Sequence, residues 1–197
     1  MTDFQSALSS FRQSLKARYQ CDINNDDLLE QHFNLRKLEE KAHLINAGDY
    51  AQDVYFIVEG ILRVYYIDHA GSEMNQQFYQ PGEVIAPMVS LTNDEPCQFY
   101  LQALSDCQVL AADYPSLREA GKNNVQWLTT ENAILSAVYL KTARREAQML
   151  LGGAEQRYRW FLKESPELAE QLPLYQIASY LGVTPVSLSR LRKKLDL

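Results

Sequence analysis

The stretch QIASYLGVTPVSLSRL, from Gln176 to Leu191, predicts a helix, a tight turn and a second helix. Gly182 permits the left-handed backbone that ends a helix. Thr184 is a favourable N-cap, and Pro185 suits the first position of the helix that follows. Small and apolar side chains close a core between the two helices, and these are Ile177, Ala178, Leu181, Val183, Leu188 and Leu191. This spacing is typical of a helix-turn-helix.

The second of these helices carries basic and hydroxyl side chains on its other face. Residues 184–197 hold four basic groups and one acid, although the whole chain of 197 residues has a formal net charge of −6. Residues 154–197 hold seven basic and five acidic groups, so the acidic excess belongs to residues 1–153. Hydroxyls and helix N-termini suit phosphate contacts, and arginine suits guanine in the major groove. We therefore expect this segment to bind double-stranded DNA.

The expected DNA-binding side chains lie in the second helix and at its N-cap. They are Thr184, Pro185, Val186, Ser187, Ser189, Arg190, Lys193 and Lys194. We expect Arg190 to read a base with help from the two serines, and Val186 to contact a thymine methyl group. The threonine, Ser187 and the two lysines are expected to contact phosphate.

Residues from about 44 to 113 have a different character, because β-rich runs alternate there with glycines. The glycines are Gly48, Gly60, Gly71 and Gly82, and the runs are Asp53–Val58, Ile61–Ile67, Met74–Tyr79, Phe99–Leu104 and Gln108–Ala112. Short strands with turn signals at this spacing predict a barrel or a double-sheet roll, the latter being an antiparallel β-roll, that is, a jelly-roll-like double-stranded β-helix.

Helices are predicted on both sides of this roll. One apolar stripe at helical spacing covers residues 2–19, and a second short helix is expected from Asp26 to Leu38. Residues 124–151 contain neither glycine nor proline and predict a long helix. Its partly apolar seam could pack on its own domain or on a second copy of the helix, and the seam residues are Leu128, Leu135, Val138 and Met149.

The predicted fold class is therefore α+β, with three consecutive parts. Residues 1–121 form a β-roll sensor domain with flanking helices, residues 122–151 a dimerisation helix, and residues 152–197 a helix-turn-helix domain. The length allows one large or two small domains, which agrees with this organisation.

Two anchors in the sequence resemble the cyclic AMP receptor and fumarate–nitrate reductase regulator (CRP/FNR) superfamily of bacterial transcription factors. The first runs from Val54 to Tyr65 and continues with Gly71-Ser72-Glu73, Phe78 and Pro81-Gly82-Glu83, and it is similar to the β-roll of a cyclic-nucleotide-binding domain. The second is the helix-turn-helix, ending in Leu188-Ser189-Arg190. The resemblance implies a homodimer joined along the long helix, a two-fold symmetric DNA site, and RNA polymerase as a further partner.

The resemblance is broken at the phosphate-binding cassette. Family members hold the cyclic phosphate with a short helix N-terminus and an Arg-Ser pair, and the ribose with a Glu. In this sequence Pro87 stands at the Glu position, Cys97 at the Arg position and Gln98 at the Ser position. A phosphate monoanion needs cationic or N–H donors, so we expect neither cyclic AMP nor cyclic GMP to bind tightly.

The sequence does not identify a small-molecule effector. The positions assigned to this degenerate effector pocket are Gly82, Glu83, Pro87, Cys97, Gln98, Tyr65 and Met74. Tyr65 and Met74 are equally compatible with an ordinary core.

Two alternatives to a DNA-binding regulator stay open. One is a cupin-like metal-dependent enzyme, which needs two or three histidines converging with a carboxylate on one metal. His32, His43 and His69 are isolated and lack such spacing, so we expect no catalytic residues, no metal, no cofactor and no enzyme activity. The other alternative is a relative that senses an effector and acts through protein contacts without binding DNA.

The sequence also predicts where the chain works. The start Met1-Thr2-Asp3-Phe4 lacks a secretory signal, and no apolar run reaches the roughly 20 residues that a membrane helix needs. Three cysteines without a C-x-x-C pair do not indicate disulfides. We therefore expect a cytoplasmic protein with no membrane partner. Because the sequence ends at Leu197, we expect no β-hairpin wing after the second helix.

Overall fold

The computed structural model describes residues 3–23 and 26–195. Asp196 and Leu197, which close the basic terminal segment, lie outside the described residues. Contacts between residues divide the chain into two units, and each is described by itself. The first unit comprises Met1–Val64 and Phe78–Val138, and the second Tyr65–Gln77 and Tyr139–Leu197. The predicted domain boundaries, at residues 121 and 151, coincide with the ends of two helices, Tyr114–Gly121 and Val125–Leu151. The two contact-based units instead divide the chain at other positions, one of them within the second of these helices.

The described strands form two four-stranded sheets with the orders β1-β8-β3-β6 and β2-β7-β4-β5. Their bounds are β1 (Phe33–Leu38), β2 (His43–Ile45), β3 (Asp53–Glu59), β4 (Leu62–Ile67), β5 (Glu73–Tyr79), β6 (Val84–Ile85), β7 (Tyr100–Ala103) and β8 (Cys107–Asp113). All five predicted β-rich runs are strands. The predicted β-roll is therefore confirmed.

The described helices flank the roll and continue after it. Their bounds are α1 (Phe4–Tyr19), α2 (Asp26–His32), α3 (Met88–Asn93), α4 (Tyr114–Gly121), α5 (Val125–Leu151), α6 (Ala154–Glu164), α7 (Pro166–Gln171), α8 (Leu174–Leu181) and α9 (Pro185–Lys194). The Asp3 carboxylate caps α1 by accepting a hydrogen bond from the Ser6 backbone N–H at 2.7 Å.

The second predicted helix is wrong in its C-terminal half. Helix α2 ends at His32, and residues 33–38 form strand β1. This strand pairs antiparallel with β8 along its whole length, from Phe33 opposite Ala112 to Leu38 opposite Cys107. Pairing with a distant strand satisfies the backbone groups of this segment, and it overrides the local preference for helix.

Strand β3 is buried on both faces and separates two apolar cores of the first unit. Val54 and Phe56 join a cluster formed with the flanking helices. Tyr55 and Ile57 join the cluster that fills the roll interior. Because successive side chains of a strand point to opposite faces, a strand between two cores needs the unbroken apolar run that the sequence has here.

The helix-facing core of the first unit is organised around Phe11 of α1. Its ring lies 5.2 Å from the ring of Phe33 and 4.8 Å from the ring of Phe56, measured between centroids. Trp127 and Ile134, from the first half of α5, are buried in the same cluster. The β-roll therefore fixes the beginning of the long helix through aromatic packing.

The second unit contains the helix-turn-helix that the sequence predicts. Helix α8 ends at Gly182, whose left-handed backbone has a φ of +65°, and α9 follows after Thr184. Ala178 and Leu188 are fully buried where the two helices meet. Phe161 of α6 packs against α8, with its ring centroid 5.5 Å from that of Tyr180.

Replacement of Phe11 by alanine is expected to destabilise the first unit by about 3–5 kcal/mol, because the cavity would open between α1 and β3. Urea unfolding followed by tryptophan fluorescence measures this, since Trp127 lies in the first unit and Trp160 in the second. A Trp160→Phe background restricts the signal to Trp127. Phe11→Leu is the matched control and should cost clearly less. Equal midpoints for Phe11→Ala and the unaltered protein would contradict the role given to this ring.

Candidate functional site

Helix α9 begins at a well-formed cap. The Oγ1 atom of Thr184 accepts a hydrogen bond from the Ser187 backbone N–H at 3.1 Å, and it lies 2.8 Å from the Ser187 hydroxyl oxygen. Pro185 occupies the first turn, where its missing N–H leaves no hydrogen bond unmade. The predicted N-cap is confirmed, and its hydroxyl group is engaged in starting its own helix.

The face of α9 that the sequence assigns to DNA is open to solvent. Of the eight assigned residues only Ser189 is half-buried, and the other seven are exposed. Among the residues that the structure describes, no carboxylate forms an ion pair with Arg190 or Lys193. These two cations are therefore available to an anionic partner.

Lys194 differs from Lys193 in having a partner. Its Nζ atom lies 3.1 Å from Oε2 of Glu155 in α6, and Arg159 donates hydrogen bonds to Oε1 of the same carboxylate. These donors, Lys194 first, hold the pKa of the Glu155 carboxyl below its usual value. Because the pair is exposed, salt screens it, and Lys194 has to leave Glu155 before it can contact a phosphate.

Gly82 and Glu83 form the turn between β5 and β6. The backbone at Gly82 is left-handed, with a φ of +87°, and a Cβ atom there would lie 3.0 Å from the Ser14 hydroxyl oxygen. Both features favour glycine. The Glu83 carboxylate accepts a hydrogen bond from the Gln80 backbone N–H at 2.9 Å and lies 3.5 Å from Nη1 of Arg18. In this structure the two residues fix the turn against α1.

The three departures from the family cassette lie around the short helix α3. Pro87 is buried and directly precedes α3, Cys97 is 3% exposed and belongs to the core of the roll interior, and Gln98 is exposed. The backbone of Cys97 pairs with its neighbours, since its N–H donates to the Asp49 carbonyl and its carbonyl accepts from the Gly48 N–H. The side chain at the arginine position is thus a neutral thiol in an apolar core.

These residues do not fit the phosphate of a cyclic nucleotide. The Cys97 side chain brings neither a positive charge nor an N–H donor, and burying a phosphate against it would be strongly unfavourable. Arg63 of β4 is buried, but its Nε and Nη2 atoms donate to Oε1 of Gln102 at 2.9 and 2.6 Å. Gln102 in turn donates to the Lys41 carbonyl. The hydrogen bonds of this arginine therefore connect strands within the sheet β2-β7-β4-β5.

The remaining two residues assigned to the effector pocket belong to the second unit. Tyr65 is buried, whereas Met74 is 44% exposed. Their structural surroundings are accordingly different from those of Cys97 in the first unit.

The seam predicted on α5 is only partly free. Leu128 is exposed, whereas Leu135 lines a pocket of its own unit and Val138 packs on the helix-facing core. Met149 accepts a weak hydrogen bond from Nη1 of Arg157 at 3.8 Å. Three of the four seam residues thus contact their own chain.

A different set of apolar side chains on α5 is open to solvent. Val125 and Leu150 are each 77% exposed, and Tyr139 is 71% exposed. At 3.6 residues per turn, these three side chains and Leu128 fall within about 60° of one another around the helix. Apart from Leu128, these exposed side chains are not members of the predicted seam.

The structure also shows an apolar pocket that sequence reasoning missed. It has about 460 Å³ of empty space, its open mouth included, and lies between α1, the roll and the first half of α5. At its edge the Tyr114 hydroxyl donates to Oε1 of Glu131 at 2.7 Å. Burial, with the neighbouring Glu131, raises the pKa of Tyr114 to about 12. No local sequence pattern identifies a pocket whose walls come from six separate helices and strands.

Sequence reasoning likewise missed three buried amides of the second unit, Asn75, Gln77 and Gln176. Asn75 and Gln77 stand two positions apart in β5, so they share one face of the strand. Two amides at alternate positions of one predicted strand are the signal that could have pointed to them. Sequence reasoning also missed Arg145 of α5, a partly buried arginine whose pKa is lowered by burial.

Two negative findings concern the described residues 3–23 and 26–195. No group of three or more His, Cys, Asp or Glu residues is arranged to hold a metal ion. No helix is long and apolar enough to cross a membrane.

Known proteins similar to this chain share both its roll and its C-terminal unit. Residues 35–124 match the family model described as a cyclic nucleotide-binding domain. The cAMP-activated global transcriptional regulator CRP of Salmonella typhimurium is 22% identical over 177 residues, covering 84% of this chain and 83% of that protein. FixK2 from Bradyrhizobium japonicum has a TM-score of 0.70 at 21% identity, covering 83% of this chain and 84% of that chain.

A further solved structure, a CooA mutant from Carboxydothermus hydrogenoformans, has a TM-score of 0.71 at 16% identity and covers 89% of this chain and 81% of that chain. The fold that this chain shares with these solved structures is a cyclic-nucleotide-binding-like β-roll, followed by a long helix and a helix-turn-helix. The chain is therefore similar to transcription regulators of the CRP/FNR family over most of its length.

Proposed function

We propose that this chain is a dimeric regulator that binds a specific, two-fold symmetric DNA site and does not respond to cyclic AMP. The observation that carries the proposal is the exposed face of α9, where Arg190 and Lys193 form no ion pair with described residues. The capped first turn at Thr184 lies on the same helix. In helix-turn-helix proteins such a second helix enters the major groove with its N-terminal residues at the base edges.

The side chains of α9 divide into base-reading and phosphate-contacting groups. Arg190 presents a planar fork of donors that suits O6 and N7 of guanine. Val186, 60% exposed, offers an apolar surface to a thymine methyl group. Lys193 supplies a point charge for phosphate, and Lys194 does so after leaving Glu155. The basic surface is small, so affinity should be modest and sensitive to salt.

Dimerisation is supported by the unpartnered face of α5 formed by Val125, Leu128, Tyr139 and Leu150. Small or polar residues, among them Ser136 and Ala143, lie between the large ones on this face. A helix with such a stripe packs well on a second copy of itself. Two α9 helices in one dimer would read two half-sites together, which raises the affinity that one small basic face provides.

Insensitivity to cyclic AMP is supported by the cassette. The Salmonella relative is named as cAMP-activated, but here a buried thiol, Cys97, replaces the cationic phosphate ligand. The roll then senses a different effector, or it serves as the scaffold that holds α5.

Arg190→Ala is expected to weaken specific binding by about 1–3 kcal/mol, because one base-reading fork is lost. Sequencing of DNA fragments selected by the purified protein supplies the specific site, and fluorescence anisotropy then measures affinity for that site and for a scrambled one. Lys193→Ala is the matched control. It should weaken both DNAs alike and reduce the salt slope by about one unit per subunit.

Unchanged affinity and unchanged sequence preference for Arg190→Ala would refute the base-reading role. If the unaltered protein enriches no sequence and shows no salt-dependent retention on DNA, the function itself is refuted. A relative that acts through protein contacts would then be the better description.

Tyr139→Asp is expected to convert the dimer to a monomer and to abolish binding to the selected site, because a charge would enter the apolar interface. Sedimentation velocity measures the mass in solution. Gln126→Asp is the control, since Gln126 is exposed but lies about 100° around the helix from Val125. A Tyr139→Asp protein that stays dimeric would exclude this face as the interface.

Isothermal titration of the purified protein with cyclic AMP or cyclic GMP is expected to show no binding at micromolar concentrations. The physical reason is the uncompensated phosphate charge at Cys97. The cAMP-activated relative serves as the positive control under the same conditions. Micromolar binding of either nucleotide to this chain would overturn the expectation.

A further inference from the structure

The outer part of the β4–β5 hairpin, Tyr65–Gln77, clusters with the C-terminal helices and not with the roll. The same two strands continue into the first unit, where Leu62 and Val64 of β4 and Phe78 and Tyr79 of β5 are buried. The chain therefore enters the second unit twice, once through α5 and once through this hairpin.

Asn75 is the centre of the contact between the hairpin and α8. Its side-chain Nδ2 atom donates to Oε1 of Gln176 at 2.6 Å and to the backbone carbonyl of Gln176 at 3.0 Å. Asn75 is only 2% exposed and Gln176 only 4%. Amides buried this deeply are held in one geometry, because any other arrangement leaves polar groups without partners.

The backbone of β5 is bound to α8 as well. The Ser179 hydroxyl accepts a hydrogen bond from the Asn75 backbone N–H at 3.0 Å and donates one to the Glu73 carbonyl at 2.9 Å. The Tyr180 hydroxyl donates to Oε1 of Gln77 at 3.4 Å. Gln176, Ser179 and Tyr180 are spaced three and four residues apart, so they share one face of α8.

Arg145 joins α5 to the same contact. Its Nη2 atom donates to the Asn75 carbonyl at 3.2 Å and to the Tyr180 carbonyl at 2.9 Å. The guanidinium carbon lies 4.7 Å from the centroid of the Tyr180 ring, which is a favourable cation–π distance. The hairpin, α5 and α8 therefore meet in one network of directional contacts.

We propose that Asn75 is a positioning residue that holds the helix-turn-helix in the orientation needed for specific DNA binding. The polar face of α8 is bound by the hairpin, whereas its apolar residues, such as Ala178, pack against α9. With the hairpin in contact with α8, Arg190 and Lys193 of α9 are exposed, as binding to DNA requires. This inference rests on the proposed function.

The test compares Asn75→Ala with Gln76→Ala. Gln76 is the adjacent amide on the opposite face of β5, and it is the matched control. Hydrogen exchange of the full chain, read in peptides that cover β5 and α8, should become faster in both places for Asn75→Ala, with β8 unchanged. Affinity for the selected DNA site should fall about tenfold, as expected for two lost hydrogen bonds, while affinity for scrambled DNA stays the same.

Two further variants separate positioning from loss of folding. Ser179→Ala removes the hydroxyl that bonds the hairpin but raises helix propensity, so faster exchange in α8 would come from the lost contact. The exchanged pair Asn75→Gln/Gln176→Asn keeps two amides and the same total side-chain length. It should restore at least part of the specific affinity that Asn75→Ala loses.

The outcomes are distinguishable from those of the proposed function. If Asn75→Ala leaves exchange in β5 and α8 unchanged, or weakens binding to both DNAs equally, the inference is overturned. If the unaltered protein selects no DNA site, the proposed function fails and the orientation claim fails with it. Hydrogen exchange would in that case still decide whether Asn75 couples the hairpin to α8.

Discussion

Burial of both faces of β3 is the constraint from which the architecture follows. One face, with Tyr55 and Ile57, belongs to the roll interior, and the other, with Val54 and Phe56, belongs to the core under the helices. The roll cannot close without the first face, and α1 and the start of α5 have nothing to pack on without the second. The packing of this one strand therefore determines how the roll and the helices of the first unit are assembled.

Charge is distributed unevenly along the chain, with the acidic excess in residues 1–153. The chain as a whole has a formal net charge of −6, which by itself argues against a nucleic-acid partner. The cations on which the proposed DNA contact depends lie on α9. The carboxylate of Glu155 pairs with Lys194 and Arg159 and does not pair with Arg190. A net charge thus describes solubility and long-range repulsion, whereas the choice of partner depends on a few exposed side chains on one helix.

Local features of the fold could be predicted from the sequence because their causes are local. Gly182, Thr184 and Pro185 act on residues within a few positions, and the predicted helix-turn-helix follows from them. The failures all involve distant partners. Strand β1 exists because of β8, the Lys194–Glu155 pair spans 39 positions, and the Asn75–Gln176 contact spans 101. Two residues of the predicted seam have distant partners as well, since Leu135 lines a pocket and Val138 packs on a core that only the folded first unit supplies.

The amide network at Asn75 illustrates why a protein of this kind would use polar contacts where apolar ones are more stabilising. Apolar surfaces such as the Ala178–Leu188 junction tolerate small rotations, because the hydrophobic effect is not directional. Hydrogen bonds lose most of their strength when donor and acceptor are misaligned, so a buried amide pair selects one orientation. Each such bond contributes only about 0.5–1.5 kcal/mol net, which leaves the contact separable without unfolding either partner. Orientation and stability can therefore be assigned to different residues of α8, the first to its amide contact with β5 and the second to its apolar contact with α9.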